Sequence, residues 1–369
     1  MNILQFICPT GFYGAERWVL AIANNLDQAD VRCDMAVTVE PHQGTLEIVK
    51  QYPDCTGKAF EIPTNGRFDF SAVNKLCNLI KEREIDVIHT HGYKSDILGL
   101  LAAKKAGIKC VSTPHGFGEA KDFKLKAYIR TGAFLLRFFD AVAPLSQQLF
   151  DECLGYGVPR NKLRYIQNGV DLKEVDHYLQ SKQTKPSEIK TIGFIGQMIP
   201  RKKIDHILEI FANLSTQHDN LQLLFLGDGD SRAELEASAA QLPCSHTIKF
   251  LGFRQDRLEQ LRDFDLFVMT SSSEGIPRCL MEALAMEIPV AAYNIPGIDQ
   301  LMAHEQTGLL ADYGDKETLQ QYWETLLFDQ AKAQQLAKAG RQYVLDNFSA
   351  ARMAREYYDL FTQLLQQKQ

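Results

Sequence analysis

The chain has 369 residues, of which 45% are hydrophobic and 23% are charged, and its formal net charge is −6. Its length is more than one ordinary domain needs and suits two, while the acidic balance argues against a nucleic-acid-binding protein, which needs a basic face. The 8 cysteines are scattered without a C-x-x-C pair or the spacing of zinc ligands, so we expect reduced thiols in a cytoplasmic protein.

Short apolar runs alternate with amphipathic helical patterns along the chain. The first run, residues 2–7, lacks the basic segment and long apolar segment of a signal peptide, so we expect neither a signal peptide nor a membrane-spanning helix. Similar runs follow at 86–91, 109–114, 140–146, 190–196, 221–227, 265–271 and 288–293. Apolar runs separated by helices are typical of parallel strands buried on both faces, so the sequence predicts an α/β fold.

A polar stretch at residues 181–190, with proline, serine and lysine, interrupts this alternation. We place a domain boundary there. The prediction is a Rossmann-like domain over residues 1–180 and a second one over residues 188–348. Ligands of such sheets bind beyond the carboxyl ends of the strands, so functional residues are expected directly after the apolar runs.

Candidate ligand-binding residues follow the N-terminal runs. Gly14 lies in a turn between the first run and a helix, and His89, His91 and His115 lie at strand ends. A histidine in such a position is more often structural than catalytic, and both interpretations stay open here. Three histidines could also hold a metal ion in principle.

Residues 121–139 are basic and amphipathic, with lysines and arginines interleaved with aromatic and aliphatic residues. Such a helix can lie on an anionic membrane surface, in which case the substrate of the protein would be linked to a lipid. It can equally be an ordinary helix packed on its sheet. The sequence leaves both interpretations open.

The second half opens with a strand that ends at Gly196 and is followed by Gln197 and a basic cluster of Arg201, Lys202 and Lys203. Cations at this place could neutralise a bound diphosphate, or they could be a solvated helix start. A later strand and turn at 248–256, which includes Arg254, is suitably placed to contact a nucleobase.

Two glutamates follow the strand at 265–271. Glu274 and Gly275 lie in the predicted turn, Pro277 suits the first turn of a helix, and the first amides of that helix form an anion site. Glu274 could accept hydrogen bonds from sugar hydroxyls beside a phosphate. Glu282, about one and a half helical turns from the helix start by the ~1.5 Å rise per residue, could accept them from a ribose. The alternative is that Glu274 caps the helix and Glu282 is solvated.

The segments "GQMIPRKK", "FLGDGDSR", "FLGFRQD", "SSSEGIPRCLMEALAMEIPVAA" and "HEQTGLL" together resemble the donor domain of glycosyltransferase family 4, the group 1 glycosyl transferases. The resemblance covers essentially the whole chain. It implies the GT-B fold, with two Rossmann-like domains that have parallel sheets and face each other across a cleft. The last helix, 349–369, would cross back to the first domain.

The resemblance also implies roles for individual residues. Glu274 would contact the donor sugar, the amides of Gly275, Ile276 and Pro277 would lie by the diphosphate, and Glu282 would bind the ribose. Lys202 matches the family's phosphate-binding lysine. Where the family usually has arginine, this chain has Gln197, and Arg201 or Arg278 could compensate for the lost charge.

In the N-terminal half, the segment around Gly14 resembles the family's glycine-rich loop, with Tyr13 in place of one glycine and Gly11 as a second source of flexibility. His115 resembles the family histidine that contacts the donor sugar or the acceptor. Asn168 and Asp171 are assigned to interdomain architecture. The family implies no metal and no cofactor beyond the nucleotide-sugar co-substrate.

The predicted function is retaining transfer of a sugar from a nucleotide diphosphate donor, a UDP-sugar first and GDP-mannose next, to a hydroxyl of a glycan or lipid-linked acceptor. We expect His115, Lys202 and Glu274 in catalysis, a role in surface polysaccharide or glycolipid synthesis, and no nucleic-acid partner. We expect the protein in the cytoplasm, at the inner face of the membrane if residues 121–139 bind lipid. The alternatives are a sugar-nucleotide 2-epimerase of the same fold and a nucleotide-sugar-binding protein without catalysis.

Overall fold

The computed structural model describes residues 1–9, 11–26, 30–41, 44–52, 57–66, 69–117, 123–180 and 188–367. The chain divides into two compact units, Met1–Asp171 with Ala350–Gln369, and Leu172–Ser349. In the described part of the chain, each unit is built on one six-stranded sheet in which all strand pairs are parallel.

The strands of the first unit are β1 (Asn2–Ile7), β2 (Arg32–Val39), β3 (Ala59–Pro63), β4 (Val87–His91), β5 (Lys109–Ser112) and β6 (Ala141–Val142). Those of the second unit are β7 (Lys190–Ile195), β8 (Leu221–Leu226), β9 (Ile248–Gly252), β10 (Leu266–Met269), β11 (Val290–Asn294) and β12 (Leu309–Asp312). The strand orders are β3-β2-β1-β4-β5-β6 and β12-β11-β10-β7-β8-β9. Each order changes direction at its first strand, β1 or β7, which is where ligands bind in open α/β sheets.

Helices connect the strands. They are α1 (Gly14–Asn25), α2 (Glu47–Lys50), α3 (Ser71–Glu82), α4 (Tyr93–Ala106), α5 (Phe123–Leu135), α6 (Gln147–Gly155), α7 (Leu172–Gln180), α8 (Ile204–Leu214), α9 (Arg232–Ala240), α10 (Arg257–Arg262), α11 (Arg278–Ala285), α12 (Lys316–Phe328), α13 (Gln330–Asn347) and α14 (Ala350–Gln366). Strands that alternate with helices along the chain give the parallel sheets that the apolar runs predict.

Helix α14 completes the core of the first unit. Its apolar residues Met353, Tyr357, Phe361 and Leu364 recur at helical spacing, so they form one face of the helix. That face is buried in the same cluster as Trp18 of α1. The predicted return of the last helix to the first domain is therefore confirmed.

Helix α7 lies on the other side of the predicted boundary. The sequence placed residues 172–180 with the first domain, but the structure places α7 in the second unit. The reason is charge pairing, because Glu174 lies 3.4 Å from Arg257 and Asp176 lies 2.8 Å from Arg341. Residues 181–187 of the predicted linker are outside the described residues.

Candidate active site

In the second unit, the predicted donor-binding residues lie at the carboxyl ends of β7 and β10. Hydrogen bonds tie the loops that follow these two strands. The hydroxyl of Thr270 donates to the carbonyl oxygens of Lys202 and Lys203, at 3.1 and 2.7 Å. The amide of Ser272 donates to the carbonyl oxygen of Arg201 at 2.8 Å. The basic cluster and the Glu274 turn therefore form one structure.

Lys202 and Glu274 form a buried ion pair at this place, with only 6% and 7% of their surfaces exposed. The ammonium of Lys202 donates to Oε1 of Glu274, and Nη1 of Arg201 lies 3.2 Å from Oε2. Burial acts to raise the pKa of Glu274, but the charges of Lys202 and Arg201 outweigh burial and the pKa is lowered. Glu274 is thus an ionised carboxylate with both oxygens bound to cations.

Glu282 is almost completely buried, at 1% exposure, so it is not the solvated carboxylate of the alternative interpretation. Its Oε1 accepts hydrogen bonds from Nη2 of Arg257 at 2.7 Å and from Nε of Arg278 at 2.8 Å. Burial acts to raise the pKa of Glu282, and the two arginine charges outweigh it and lower the pKa. The sequence analysis missed Arg257, because a single arginine after a turn carries no pattern that identifies its partner.

The loss of an arginine at Gln197 has no simple compensation. Gln197 is exposed directly beyond the end of β7. The two proposed substitutes, Arg201 and Arg278, already pair with Glu274 and Glu282. Arg254, predicted to contact the donor, pairs with Asp256 at the surface, with Nε 2.7 Å from a carboxylate oxygen.

The start of α11 differs in one respect from the prediction. Pro277 is the N-cap residue and lies before the helix, and its carbonyl accepts from the amides of Leu280 and Met281 at 3.2 Å. Since proline has no N–H group, Pro277 cannot donate to a phosphate, which corrects the expected set of amides. Gly275 and Ile276 retain that capacity, and the amides of the first helical turn add to it.

Glycines at the carboxyl ends of the strands hold these loops close together. Gly297, with φ of +93°, lies so near the turn that a Cβ at this position would collide with the carbonyl oxygens of Gly275 and Glu274. A Cβ at Gly227, which has a φ of +136°, would likewise collide with the carbonyl oxygen of Gly196. Only glycine satisfies both the backbone angle and the close approach at these positions. The sequence gives no signal for Gly297, because its neighbour is distant along the chain.

In the first unit, the structure brings the three histidines together. His91 Nδ1 lies 3.2 Å from His115 Nε2, and the ring centroids of His89 and His91 are 4.4 Å apart. Trp18 contacts all three rings, with centroid distances of 5.1 to 5.7 Å. Burial lowers the pKa of His115 to about 4 and holds the pKa values of His89 and His91 well below the usual range. All three imidazoles are therefore neutral at pH 7.

The structural role of the other two histidines is visible in their partners. His89 Nε2 lies 2.8 Å from the Thr113 hydroxyl, which lies 2.7 Å from the Tyr357 hydroxyl of α14. His91 Nε2 lies 2.7 Å from Oε1 of Gln5 in β1. His89 thus links β4 to α14 through Thr113, and His91 links β4 to Gln5 of β1. His115 lies beyond the end of β5.

Gly14 is the first residue of α1, and Tyr13 before it is 49% exposed. The amide of Tyr13 donates to Glu16 at 2.9 Å, which fixes the helix start as a capping box does. The flexibility expected of Gly11 stays a prediction. A side chain there would collide with the Tyr13 ring, so the glycine makes room for that ring.

Asn168 and Asp171 have their described contacts within the first unit. Asp171 accepts a hydrogen bond from Asn24 of α1 at 3.0 Å, and Asn168 accepts one from the amide of Gly169 at 2.9 Å. These contacts fix the end of the first unit next to α1. An interdomain role for the two residues stays a prediction.

Two further predictions concern metals and membranes. Among the described residues, the structure shows no group of three His, Cys, Asp or Glu side chains that could hold a metal ion. In the same part of the chain, no helix has the length and apolar character needed to cross a bilayer. Part of the basic segment predicted to bind membranes, including Lys121, is outside the described residues. Near the end of α5, Phe134 and Phe138 are both exposed, and the Arg137 guanidinium lies 4.0 Å from the centre of the Phe134 ring.

Two family models match the chain. Residues 12–174 match the one described as Glycosyltransferase Family 4, and residues 178–343 match the one described as Glycosyl transferases group 1. Together the two matches span nearly the whole chain and confirm the resemblance found in the sequence.

Individual proteins show the same relationship. N-acetyl-alpha-D-glucosaminyl L-malate synthase of Bacillus anthracis is 24% identical over 308 residues, covering 81% of this chain and 80% of the relative. UDP-Gal:alpha-D-GlcNAc-diphosphoundecaprenol alpha-1,3-galactosyltransferase of Escherichia coli is 28% identical over 284 residues, covering 72% and 73%. The crystal structure of Anabaena HepE in complex with UDP and glucose has a TM-score of 0.80 at 20% identity, covering 98% of this chain and 100% of that one. The likeness to HepE confirms the predicted GT-B fold.

Proposed function

The chain belongs to the family 4, group 1 glycosyltransferases, and on that premise we propose that it transfers a sugar from a UDP-sugar, with retention of configuration, to a hydroxyl of a glycan or lipid-linked acceptor. The observation that carries the proposal is the buried Lys202–Glu274 ion pair beside the start of α11. This arrangement provides a cation, an anion-binding helix start and a carboxylate within one loop structure.

The choice of UDP is supported by the relatives. The E. coli relative is named for UDP-Gal, and HepE was solved with UDP and glucose. GDP-mannose is the second candidate donor. The diphosphoundecaprenol in the name of the E. coli relative supports a glycan or lipid-linked acceptor, and we propose a role in surface polysaccharide or glycolipid synthesis. A lipid-linked acceptor would bring the protein to the inner face of the cytoplasmic membrane.

In this proposal, donor binding exchanges the partners of the ion pair. Lys202 moves its ammonium from Glu274 to the diphosphate, and the amides of Gly275 and Ile276 add hydrogen bonds to the phosphate oxygens. Glu274 keeps Arg201, 3.2 Å away, and accepts a hydrogen bond from a sugar hydroxyl with the oxygen that Lys202 releases. Glu282 remains held by its arginines and uses a remaining lone pair for a ribose hydroxyl.

The chemical step breaks the bond between the anomeric carbon and the diphosphate oxygen. The acceptor oxygen forms the new bond on the same face of the sugar, and its proton passes to the departing phosphate oxygen. Lys202 and the helix amides stabilise the charge that develops on the leaving group. Glu274 binds the distal hydroxyls of the sugar, so it does not serve as a nucleophile at the anomeric carbon.

The first experiment measures nucleotide binding. UDP, GDP, ADP and their common sugar conjugates are tested by thermal shift, and affinities are then measured by calorimetric titration for the native protein, Lys202→Met and the control Lys338→Met. Lys338 is an exposed residue of α13, so its substitution removes the same charge outside the two loops. We expect UDP compounds to bind, with affinity reduced about tenfold or more in Lys202→Met alone. No binding of any nucleotide, or equal losses in both variants, would overturn the proposed site.

The second experiment separates the reaction classes. The bound UDP-sugar is incubated with and without lipid-linked and free glycan acceptors, and the product is followed by NMR of its anomeric proton. Transfer with the donor's configuration requires an acceptor and supports the proposal. Epimerisation of the donor without an acceptor, or an unchanged donor under all conditions, would contradict it.

A further inference from the structure

A chain of hydrogen bonds runs from the centre of the first sheet to His115. Gln5 Oε1 in β1 lies 2.7 Å from His91 Nε2 at the end of β4, and His91 Nδ1 lies 3.2 Å from His115 Nε2. Parallel pairing of β1 with β4 sets Gln5 opposite His89, and His91 lies two residues further along β4 on the same face of the sheet. Both residues are buried, so water does not compete for these bonds.

The direction of the chain follows from its buried end. Gln5 Nε2 donates to the sulfur of Cys33, 3.7 Å away, and this orients the amide so that its oxygen faces His91. Burial raises the pKa of Cys33 to about 11, so Cys33 is a neutral thiol that accepts this hydrogen bond through sulfur. The Gln5 oxygen can only accept, which requires the proton of His91 to be on Nε2.

The proton positions on both histidines are then determined. A neutral imidazole has one protonated and one unprotonated nitrogen, so His91 Nδ1 is an acceptor and His115 must donate from Nε2. This leaves a lone pair on Nδ1 of His115. Within the described part of the chain, no protein group forms a hydrogen bond with that nitrogen.

We propose that Gln5 and His91 are positioning residues that hold His115 as the Nε2-protonated tautomer, so that its Nδ1 accepts a hydrogen bond from a substrate hydroxyl. The proposal rests on the proposed function for the identity of that substrate, a sugar or acceptor alcohol. A hydroxyl can donate to Nδ1, whereas a phosphate oxygen without a proton cannot. The relay therefore makes His115 select for a hydroxyl and against the diphosphate.

The tautomer is tested first, because it can be measured without any substrate. Long-range ¹H–¹⁵N correlation spectra of ¹⁵N-histidine-labelled protein distinguish protonated from unprotonated ring nitrogens. We expect His115 to be protonated at Nε2 in the native protein and to populate both tautomers in Gln5→Met, which removes the acceptor, and in His91→Phe, which removes the relay. Protonation of His115 at Nδ1 in the native protein, or an unchanged spectrum in a folded Gln5→Met or His91→Phe protein, would overturn the proposal.

A matched control comes from the neighbouring hydrogen bonds of His89. Thr113→Val removes the hydroxyl between His89 and Tyr357 and leaves Gln5 and His91 intact. This substitution also removes a buried hydroxyl beside the histidines, so it shows how much a general loss of stability alone changes the His115 spectrum. The His115 spectrum is expected to be unchanged in Thr113→Val, and a tautomer shift there equal to that of Gln5→Met would overturn the relay.

The functional consequence is tested by titration with UDP and with UDP-glucose, UDP-galactose and UDP-N-acetylglucosamine, together with acceptor KM. We expect Gln5→Met to leave the affinity for UDP unchanged and to weaken binding of the sugar conjugate or of the acceptor about tenfold, the loss of one hydrogen bond. Equal weakening of UDP, or no weakening of either substrate, would overturn the positioning role. If the native protein binds none of these nucleotides, the proposed function fails, and the spectra still decide the relay.

Discussion

Glu282 holds two guanidinium groups in a space from which water is almost excluded. Taking these charges out of water has a large unfavourable cost, which only their mutual attraction and hydrogen bonds offset. Removal of Glu282 leaves both arginines with the more exposed Glu174 as their remaining carboxylate, 3.4 Å from Arg257 and 3.8 Å from Arg278. This has a consequence for binding experiments, since a variant of Glu282 changes the stability of the protein as well as its affinity for a ligand.

Glu282→Gln is expected to lower the free energy of unfolding by about 3 kcal/mol, because it removes the buried carboxylate of Arg257 and Arg278 and leaves them only the more exposed Glu174. Glu317→Gln, at an exposed position in the first turn of α12, removes the same charge and is expected to cost under about 1 kcal/mol. Urea denaturation of both variants measures the difference. Similar losses in the two variants would show that the buried pairing does not stabilise the fold.

His115 makes stability depend on pH in a predictable direction. Its pKa is about 4 in the folded protein, whereas an unperturbed imidazole, as in the unfolded chain, has a pKa of 6.5, so acidification through this window protonates only the unfolded chain. The folded state is therefore expected to lose stability as the pH falls from about 6.5 to about 4. In His115→Gln that contribution disappears, so the variant should lose less stability over the same range. Urea denaturation at a series of pH values tests this, and parallel curves for the two proteins would contradict it.

At the scale of single residues, the sequence named most of the candidate site residues but few of the residues that pair with them. The motif and its order gave Glu274, Glu282 and Lys202 as candidates, and the resemblance in the N-terminal half gave His115. Neither could show that Arg257, 25 residues before Glu282, would reach its carboxylate. Such pairs depend on where α10 and α11 pack, and packing is not encoded in local spacing.

The turn between β10 and α11 depends on an element far along the chain. Gly297, after β11, lies against the carbonyl oxygens of Gly275 and Glu274. A side chain at this position would push the turn away from its place beside Lys202. The geometry of the anion site is therefore determined by two neighbouring connections of the sheet and not by its own segment alone.

Gly297→Ala is expected to destabilise the fold and to weaken UDP binding. The control is Gly314→Ala, because Gly314 has nearly the same φ, +89° against +93°, but has open space around its Cα. We expect Gly314→Ala to cost about 1 kcal/mol of stability through its backbone angle and to leave UDP affinity unchanged. Gly297→Ala should cost about twice that or more, since backbone atoms must move as well. Equal effects of the two substitutions on stability and on UDP titration would contradict this account.

The apolar runs predicted most strands, but β2, β3 and β12 were not among them. The runs at 2–7, 86–91 and 265–271 correspond to β1, β4 and β10. Strand β2 was not among the predicted runs, because Arg32 and Asp34 interrupt its apolar pattern. Asp34 is fully buried and pairs with Arg83 at 2.9 Å, a partner that only the fold supplies.

At the scale of the molecule, the chain returns to the first unit after completing the second. Helix α14 places Phe361 in the core of the first unit, while α13, immediately before it, places Leu336 in the second. Substitutions in these two adjacent helices should therefore affect different units.

Phe361→Ala is expected to destabilise the first unit by about 3–5 kcal/mol, and Leu336→Ala the second unit by about 2–5 kcal/mol, through lost burial and the cavities that remain. Hydrogen exchange followed by mass spectrometry locates each effect. Phe361→Ala should increase exchange in β1 and α1, and Leu336→Ala in the second sheet. Increased exchange in both units for both variants would show that they unfold as one cooperative body.

The sequence by itself determined the fold class, the family and the identity of the main candidate residues. It did so because buried parallel strands require continuous apolar runs, and because a ligand-binding turn requires particular residue types in a fixed order. Only the tertiary structure decided which charges are paired and which glycines support the site, and only it supplies the contacts from which we propose the tautomer of His115. Those properties depend on contacts between residues distant in the chain, such as Gln5 with His91 and Gly297 with Gly275, and such contacts exist only after the sheets have formed.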